Sequence, residues 1–131
     1  MKTIEVVAAI IVKNSEILAT KRGYGDFLNM WEFPGGKMEP DESKETALIR
    51  EIKEELEVAI SVDHNLCTIE YDYPNFHLTM HCFICSITSG DLTLVEHNDA
   101  KWLTTDTLDS VQWLPADIQI LEQIKAWIAK R

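Results

Sequence analysis

The chain is short of positive charge. It sets 12 lysines and arginines against 22 aspartates and glutamates, a formal charge of −10 over 131 residues. A nucleic-acid polymer is bound through a positive surface that releases counterions, so neither DNA nor RNA is an expected partner. Long apolar runs are missing too: Val6 to Val12 falls far short of the roughly 20 residues a membrane span needs, so no membrane partner is expected. Cysteine is scarce and odd in number, at Cys67, Cys82 and Cys85. No second Cys or His pair stands at finger spacing from Cys82 and Cys85, and residues three apart on a strand point to opposite faces. These cysteines are therefore expected as buried free thiols rather than a zinc or redox site. With no signal-like segment at the start, the expected setting is reducing and cytoplasmic. Repeats, linkers and low-complexity stretches are absent. A monomer is expected, with a dimer left open.

What is present reads as one domain, residues 1–131, with 46% hydrophobic and 26% charged residues, long enough to bury a core without disulfides. The Val- and Ile-rich run Ile4–Lys13 predicts a buried strand, and Asn14-Ser15 a turn back into a second strand, Glu16–Arg22. Trp31-Glu32-Phe33 is a short strand stopped by Pro34. Pro40 and Asp41 announce a helix beginning near Glu42 or Ser43, with Leu48, Ile49, Ile52 and Leu56 as its apolar stripe. Cys67–Tyr73 and His77–Ile87 read as a hairpin about Pro74-Asn75. Asp91–Leu94 and Lys101–Leu103 are shorter strand candidates. Pro115–Lys130 reads as a second amphipathic helix, with Ile118, Leu121, Ile124 and Ile128 on one side. Irregular alternation with several hairpins points to an α+β class and a mixed sheet covered by helices.

One run stands apart. Gly35-Gly36 is expected to allow positive φ and close approach to a ligand, and the helix that follows carries Glu51, Glu54 and Glu55 at i, i+3 and i+4. Like charges so placed repel by about 0.2–0.5 kcal/mol per pair, and a bound cation would reverse that cost. Carboxylates are hard ligands that suit Mg2+, or Mn2+ as a substitute, better than zinc. Taken alone, three glutamates are also what an exposed helix face carries. The spacing is more specific: Gly36, five residues, Glu42, seven residues, then Arg50-Glu51-Ile52-Lys53-Glu54-Glu55-Leu56.

This run resembles the signature of the Nudix hydrolases, which cleave nucleoside diphosphates linked to a further group. It matches every specified position but one, since Glu57 stands where that family has glycine. The resemblance implies a mixed sheet sandwiched between helices (α/β/α) and Mg2+ held by Glu51, Glu54 and Glu55 with the Gly35 carbonyl. Arg50 would orient Glu51 through a forked hydrogen bond, with Glu42 in the same network. Lys37 and Gly36, with Lys21 or Arg22, would contact phosphates. Water would attack phosphorus with a carboxylate as base, Glu51 as first choice and Glu96 as second.

Three further runs resemble the MutT-like triphosphate pyrophosphohydrolases of that family: Ile4–Ile11, Trp31–Lys37 and Leu114–Ile118. Asp117 opens the last helix where 8-oxo-dGTP-clearing members carry Asn. A carboxylate accepts hydrogen bonds and suits the exocyclic amine of cytosine, with Ile4, Val6 and Phe76 flanking the base. A cytosine nucleoside triphosphate (CTP, dCTP or a modified form) is thus the expected small-molecule substrate. Clearance of 8-oxo-dGTP is the alternative, and a non-catalytic nucleotide sensor a third reading. His77, His81 and His97 lack metal-ligand companions and read as ordinary strand and loop residues.

Overall fold

The computed structural model describes residues 1–131. Its centre is β1 (Lys2–Lys13), whose segment Val7–Ile11 is buried on both faces. Such a strand reads as an unbroken apolar run because neither side meets water. The chain reverses at Asn14 and Ser15, with φ of 52° and 65°, the left-handed pair a tight hairpin requires. β2 (Glu16–Arg22) returns, followed by β3 (Trp31–Glu32) and β4 (Gly35–Lys37). Next come α1 (Lys44–Leu56), the long hairpin of β5 (Ala59–Tyr73) and β6 (Phe76–Ser89), and β7 (His97–Leu103). Two short helices, α2 (Pro115–Ile118) and α3 (Leu121–Ala129), end the fold.

The main strand order is β3-β2-β1-β6-β5, with β4 paired to β1 and β7 to β2. β1 and β6 run parallel, so the sheet is mixed. Alternate residues of β1 feed two cores. Val7, Ala9 and Ile11 meet Ala47, Leu48, Ile52 and Leu56 of α1. Ala8 and Ile10 meet Ala116 of α2, Leu121 and Ile124 of α3, and Ile120 between the two helices. Each such Leu or Ile contributes about 1.5–3 kcal/mol by leaving water. Cys82 and Cys85 fall into different cores, as expected for a three-residue step on a strand.

Several expectations need correction. Asp91–Leu94 is not a strand. The segment instead donates Thr93 N–H to the Leu56 carbonyl at 2.9 Å and Val95 N–H to the Glu55 carbonyl at 3.1 Å. It thereby serves the carbonyls that the end of α1 leaves without partners. The terminal helix is broken at Gln119–Ile120, where the amides bond three residues back, to Ala116 and Asp117. That tighter turn lets Ala116, Asp117 and Ile120 all be buried, and it leaves Ile118 exposed. Ile49, placed in the apolar stripe of α1, is exposed as well. β5 starts eight residues before Cys67; three irregularities in its register with β6 disguise the alternation there. Gly35 and Gly36 do not have positive φ. They are needed for space, since a Cβ on Gly35 would meet the Val7 carbonyl and one on Gly36 the Glu51 carboxylate.

Ser43 caps the start of α1 by accepting from Thr46 N–H at 3.1 Å. Glu57 caps its end in the left-handed region, at φ 58°, and donates its N–H to the Lys53 carbonyl. A residue with a Cβ pays about 1–2 kcal/mol for that conformation, less the roughly 0.4–1 kcal/mol that glycine loses through a freer unfolded chain. Glu57→Gly is therefore expected to raise stability by about 0.5–1 kcal/mol. Denaturant unfolding checks this, and an unchanged or lowered midpoint would refute the strain.

Candidate active site

The close approach of β4 to α1 builds the acidic half of the site. Because Gly36 has no side chain, the Glu51 carboxylate lies against its Cα. Arg50 gathers the surrounding acids. Its Nε and Nη2 fork onto the two Glu42 oxygens at 2.7 and 2.9 Å, Nη1 reaches Glu51 at 2.9 Å and Glu54 at 3.3 Å, and Nη2 also donates to the Lys37 carbonyl at 3.2 Å. The fork expected on Glu51 is thus on Glu42, with a single bond to Glu51. The guanidinium holds the Glu42 carboxyl down to about 2, helped by the Glu39 amide, and the acids raise Arg50 in turn.

The three signature glutamates differ in exposure. Glu54 is exposed, Glu51 half-buried and Glu55 buried. Burial, then the hydrogen bond and charge of Glu51, then the charges of Glu96 and Glu32 push the Glu55 carboxyl far above the carboxylate range. Glu96 is exposed and accepts weakly from the Tyr24 hydroxyl at 3.4 Å. It is brought beside Glu55 by the same irregular segment that caps α1. No three His, Cys, Asp or Glu side chains stand as a formed metal cage, and Arg50 lies on Glu51 and Glu54. The donor set nevertheless fits a hard divalent cation: it is all carboxylate oxygen, and Glu55 sits among like charges with no cation of its own.

The second half is a cavity of about 150 Å3 on the other side of β4. Val6, Arg22, Gly35, Gly36, Phe76 and Asp117 all line it. So do Phe27, Tyr73 and Glu32, none of which the sequence marked. Phe27 and Tyr73 stand 5.4 Å apart at the ring centroids, and Tyr73 and Phe76 stack at 5.0 Å. The Tyr73 hydroxyl accepts from Ala116 N–H at 3.1 Å, which ties this rim to α2. Asp117 is 4% exposed, and its Oδ2 accepts from Phe33 N–H at 2.8 Å. Burial pushes its carboxyl up to about 7, against the pull of the Phe33 amide and Arg22.

Between the halves lies a half-buried polar chain. Arg22 Nη2 bonds Glu32 Oε1 at 2.6 Å. The other Glu32 oxygen meets His97 Nε2 at 3.0 Å, and the same nitrogen is 3.9 Å from Glu55 Oε1. His97, read from sequence as an ordinary loop residue, is buried here.

Other sequence candidates fall elsewhere. Ile4 does not line the cavity; it lies in an open cleft with Lys37, Glu39 and Glu42, and packs on the core edge. Lys21 pairs with Trp31 and Asp99 in the sheet, away from the cavity lining. Alternation along β2 turns it from Arg22, its neighbour. Lys37 is exposed at the end of β4. Glu32 had one signal, its place beside Pro34-Gly35-Gly36; His97, Phe27 and Tyr73 had none.

A family model for the NUDIX domain matches residues 6–123. CTP pyrophosphohydrolase of Escherichia coli (strain K12) is 36% identical over 132 residues, covering 100% of this chain and 98% of that protein. The 8-oxo-dGTP diphosphatase of Escherichia coli (strain K12) is 28% identical, over 95% of this chain and 98% of its own length. A crystal structure of a MutT NUDIX hydrolase from Burkholderia pseudomallei superposes with a TM-score of 0.85 at 30% identity, covering 94% of this chain and 98% of that one. No helix is long and apolar enough to cross a membrane.

Burial of Asp117 has a measurable consequence. Its native carboxyl titrates near 7, above the ordinary aspartate range of the unfolded chain. Between those two values the native state holds the extra proton, so stability falls as pH rises, and the full penalty is present above the native value. Asn at this position keeps an acceptor for Phe33 N–H and carries no charge, while Arg22 and Glu32 remain its charged neighbours. Asp117→Asn is thus expected to gain stability relative to wild type on going from pH 4 to pH 8. Thermal melts at the two pH values test this; a pH-independent difference would contradict the assigned burial.

Proposed function

Given that the chain belongs to the NUDIX family and is a nucleotide pyrophosphohydrolase, we propose that it converts a cytosine nucleoside triphosphate to monophosphate and pyrophosphate with Mg2+. The carrying observation is Asp117, buried in the wall of the cavity that Gly35 and Gly36 also line, next to the acidic cluster. A base in this cavity would put its phosphates towards β4 and Glu51.

Glu51, Glu54, Glu55 and the Gly35 carbonyl would hold the cation, with Mn2+ as a substitute. When bound it neutralises phosphate charge and polarises a phosphoryl oxygen. The protein's own groups do the rest. Arg50 fixes the orientation of Glu51 and is itself fixed by Glu42. Glu51 accepts the proton of the attacking water, with Glu96 as the second choice of base. Arg22, from the cavity wall, and Lys37, from the end of β4, contact phosphate oxygens. Val6 and Phe76 hold the base, and the E. coli CTP pyrophosphohydrolase supports the cytosine reading.

Asp117 bears on the choice of base. Near neutral pH it exists in both forms. As a neutral carboxyl it offers one donor and one acceptor, matching the ring nitrogen and amine on the pairing edge of cytosine. As a carboxylate it only accepts, which suits the two adjacent N–H donors of a guanine edge. The second reading, 8-oxo-dGTP clearance, is favoured by this ionised form and by the E. coli 8-oxo-dGTP diphosphatase.

A panel of triphosphates at equal concentration tests the substrate, with pyrophosphate release as readout. CTP or dCTP is expected to lead, and a clear lead by 8-oxo-dGTP would replace the first reading with the second. Glu54→Gln is expected to lower turnover by more than about a hundredfold, since even residues outside the metal's own ligands cost 10–100-fold. Its far-ultraviolet spectrum should be that of wild type. Full activity in this variant, or pyrophosphate release undiminished by chelator, would remove the cation assignment.

A further inference from the structure

His97 is the least expected residue of the site. The register of β7 on β2 shifts between Lys21 and Arg22, and this places His97 opposite Arg22. Its side chain is only 4% exposed. Nε2 lies 3.0 Å from Glu32 and 3.9 Å from Glu55. Nδ1 is buried and has no hydrogen-bond partner. A carboxylate can only accept, so the bond to Glu32 requires the hydrogen on Nε2. The orphaned Nδ1 then lowers stability wherever its own proton resides. An apolar side chain would fill the space without that cost. What the imidazole alone supplies is one donor bonded to Glu32, with the Glu55 carboxylate within ion-pair distance of the same nitrogen.

Those carboxylates have separate duties. Glu32 holds Arg22 on the cavity wall, and Glu55 belongs to the acidic cluster. We propose that His97 is a positioning residue that joins the Arg22–Glu32 pair to Glu55, so that phosphate binding and cation binding depend on one imidazole. The proposal rests on the cation reading above.

Three substitutions separate this role from space-filling. His97→Gln puts an amide nitrogen near the place of Nε2. His97→Asn puts it near the place of Nδ1, out of reach of both carboxylates. His97→Leu has no donor. The probes are Mn2+ alone, titrated into the metal-free protein, and dCTP turnover at saturating Mn2+. The Asn and Leu variants should bind Mn2+ about tenfold more weakly, the scale of a lost outer partner, and should raise KM more than they lower kcat. The Gln variant should restore both. Thermal melts identify variants that do not fold, and the comparison of Gln with Asn stands if only Leu is lost. Equal Mn2+ affinity in the Gln and Asn variants, or wild-type affinity in Leu, overturns the proposal while leaving the cation site intact. A wild-type protein that binds no Mn2+ overturns both.

Discussion

Arg50 is the one cation set among Glu39, Glu42, Glu51 and Glu54, and the acidic half of the molecule is arranged around it. A helix with Glu51, Glu54 and Glu55 on adjoining positions is repulsive, and one guanidinium cannot neutralise it all. Arg50 reaches four carboxylates and the Lys37 carbonyl, so it also ties the end of β4 to α1. What it does not reach is Glu55. Burial, then the hydrogen bond and charge of Glu51, push its carboxyl up, and the nearby His97 donor is engaged with Glu32. The unmet demand for positive charge is thus localised at a single buried oxygen pair rather than spread over the helix. That distinguishes a site from a solvated acidic face.

How far this could be read from sequence follows from separation along the chain. Glu42, Glu51 and Glu54 meet Arg50 across one loop and one helix, and their spacing, through its resemblance to the family signature, disclosed them. The glycines were disclosed by the same spacing, but the expected reason was different: the backbone there is ordinary, and it is the closeness of Val7 and Glu51 that forbids a side chain. Contacts that join distant segments left no local pattern. Glu32 meets His97 65 residues on, and Asp117 meets the Phe33 amide across 84. Asp117 was found only through a family resemblance, and His97 was set aside for lack of neighbours at ligand spacing. The cavity rim of Phe27, Tyr73 and Phe76 brings together a loop and both arms of a hairpin. No periodicity marks such a meeting.

Secondary structure shows the same division. β1 and β2 were legible as short continuous apolar runs, and α1 by the helical period of its buried face. The first half of β5 was not: Ser61, Asp63, His64 and Asn65 are polar, and the register shifts beside Ala59, Val62 and Asn65 break the alternation. Asp91–Leu94 failed for the opposite reason. Its composition suits a strand, but its amides are better used on the carbonyls at the end of α1. That choice has a chemical effect, because the same segment carries Glu96 to Glu55.

The two buried acids of the site are raised for different reasons, and this gives its two ends different characters. Asp117 is raised chiefly by burial, with the Phe33 amide and Arg22 opposing. Its charge is adjustable near neutrality, which suits recognition of a polar but uncharged edge. Glu55 is raised by burial and by the other glutamates around it, so its ionised form needs an added positive charge. The Arg22–Glu32 pair lies between them and is internally neutral. An anionic substrate of a chain with net charge −10 is therefore not drawn in by the protein's overall field. On the proposed function it would be met locally, by Arg22 at one end and by a cation at Glu55 at the other. On that reading, binding and chemistry would depend on the same small region between β4 and the C-terminal half of α1, where an added cation would reverse the charge.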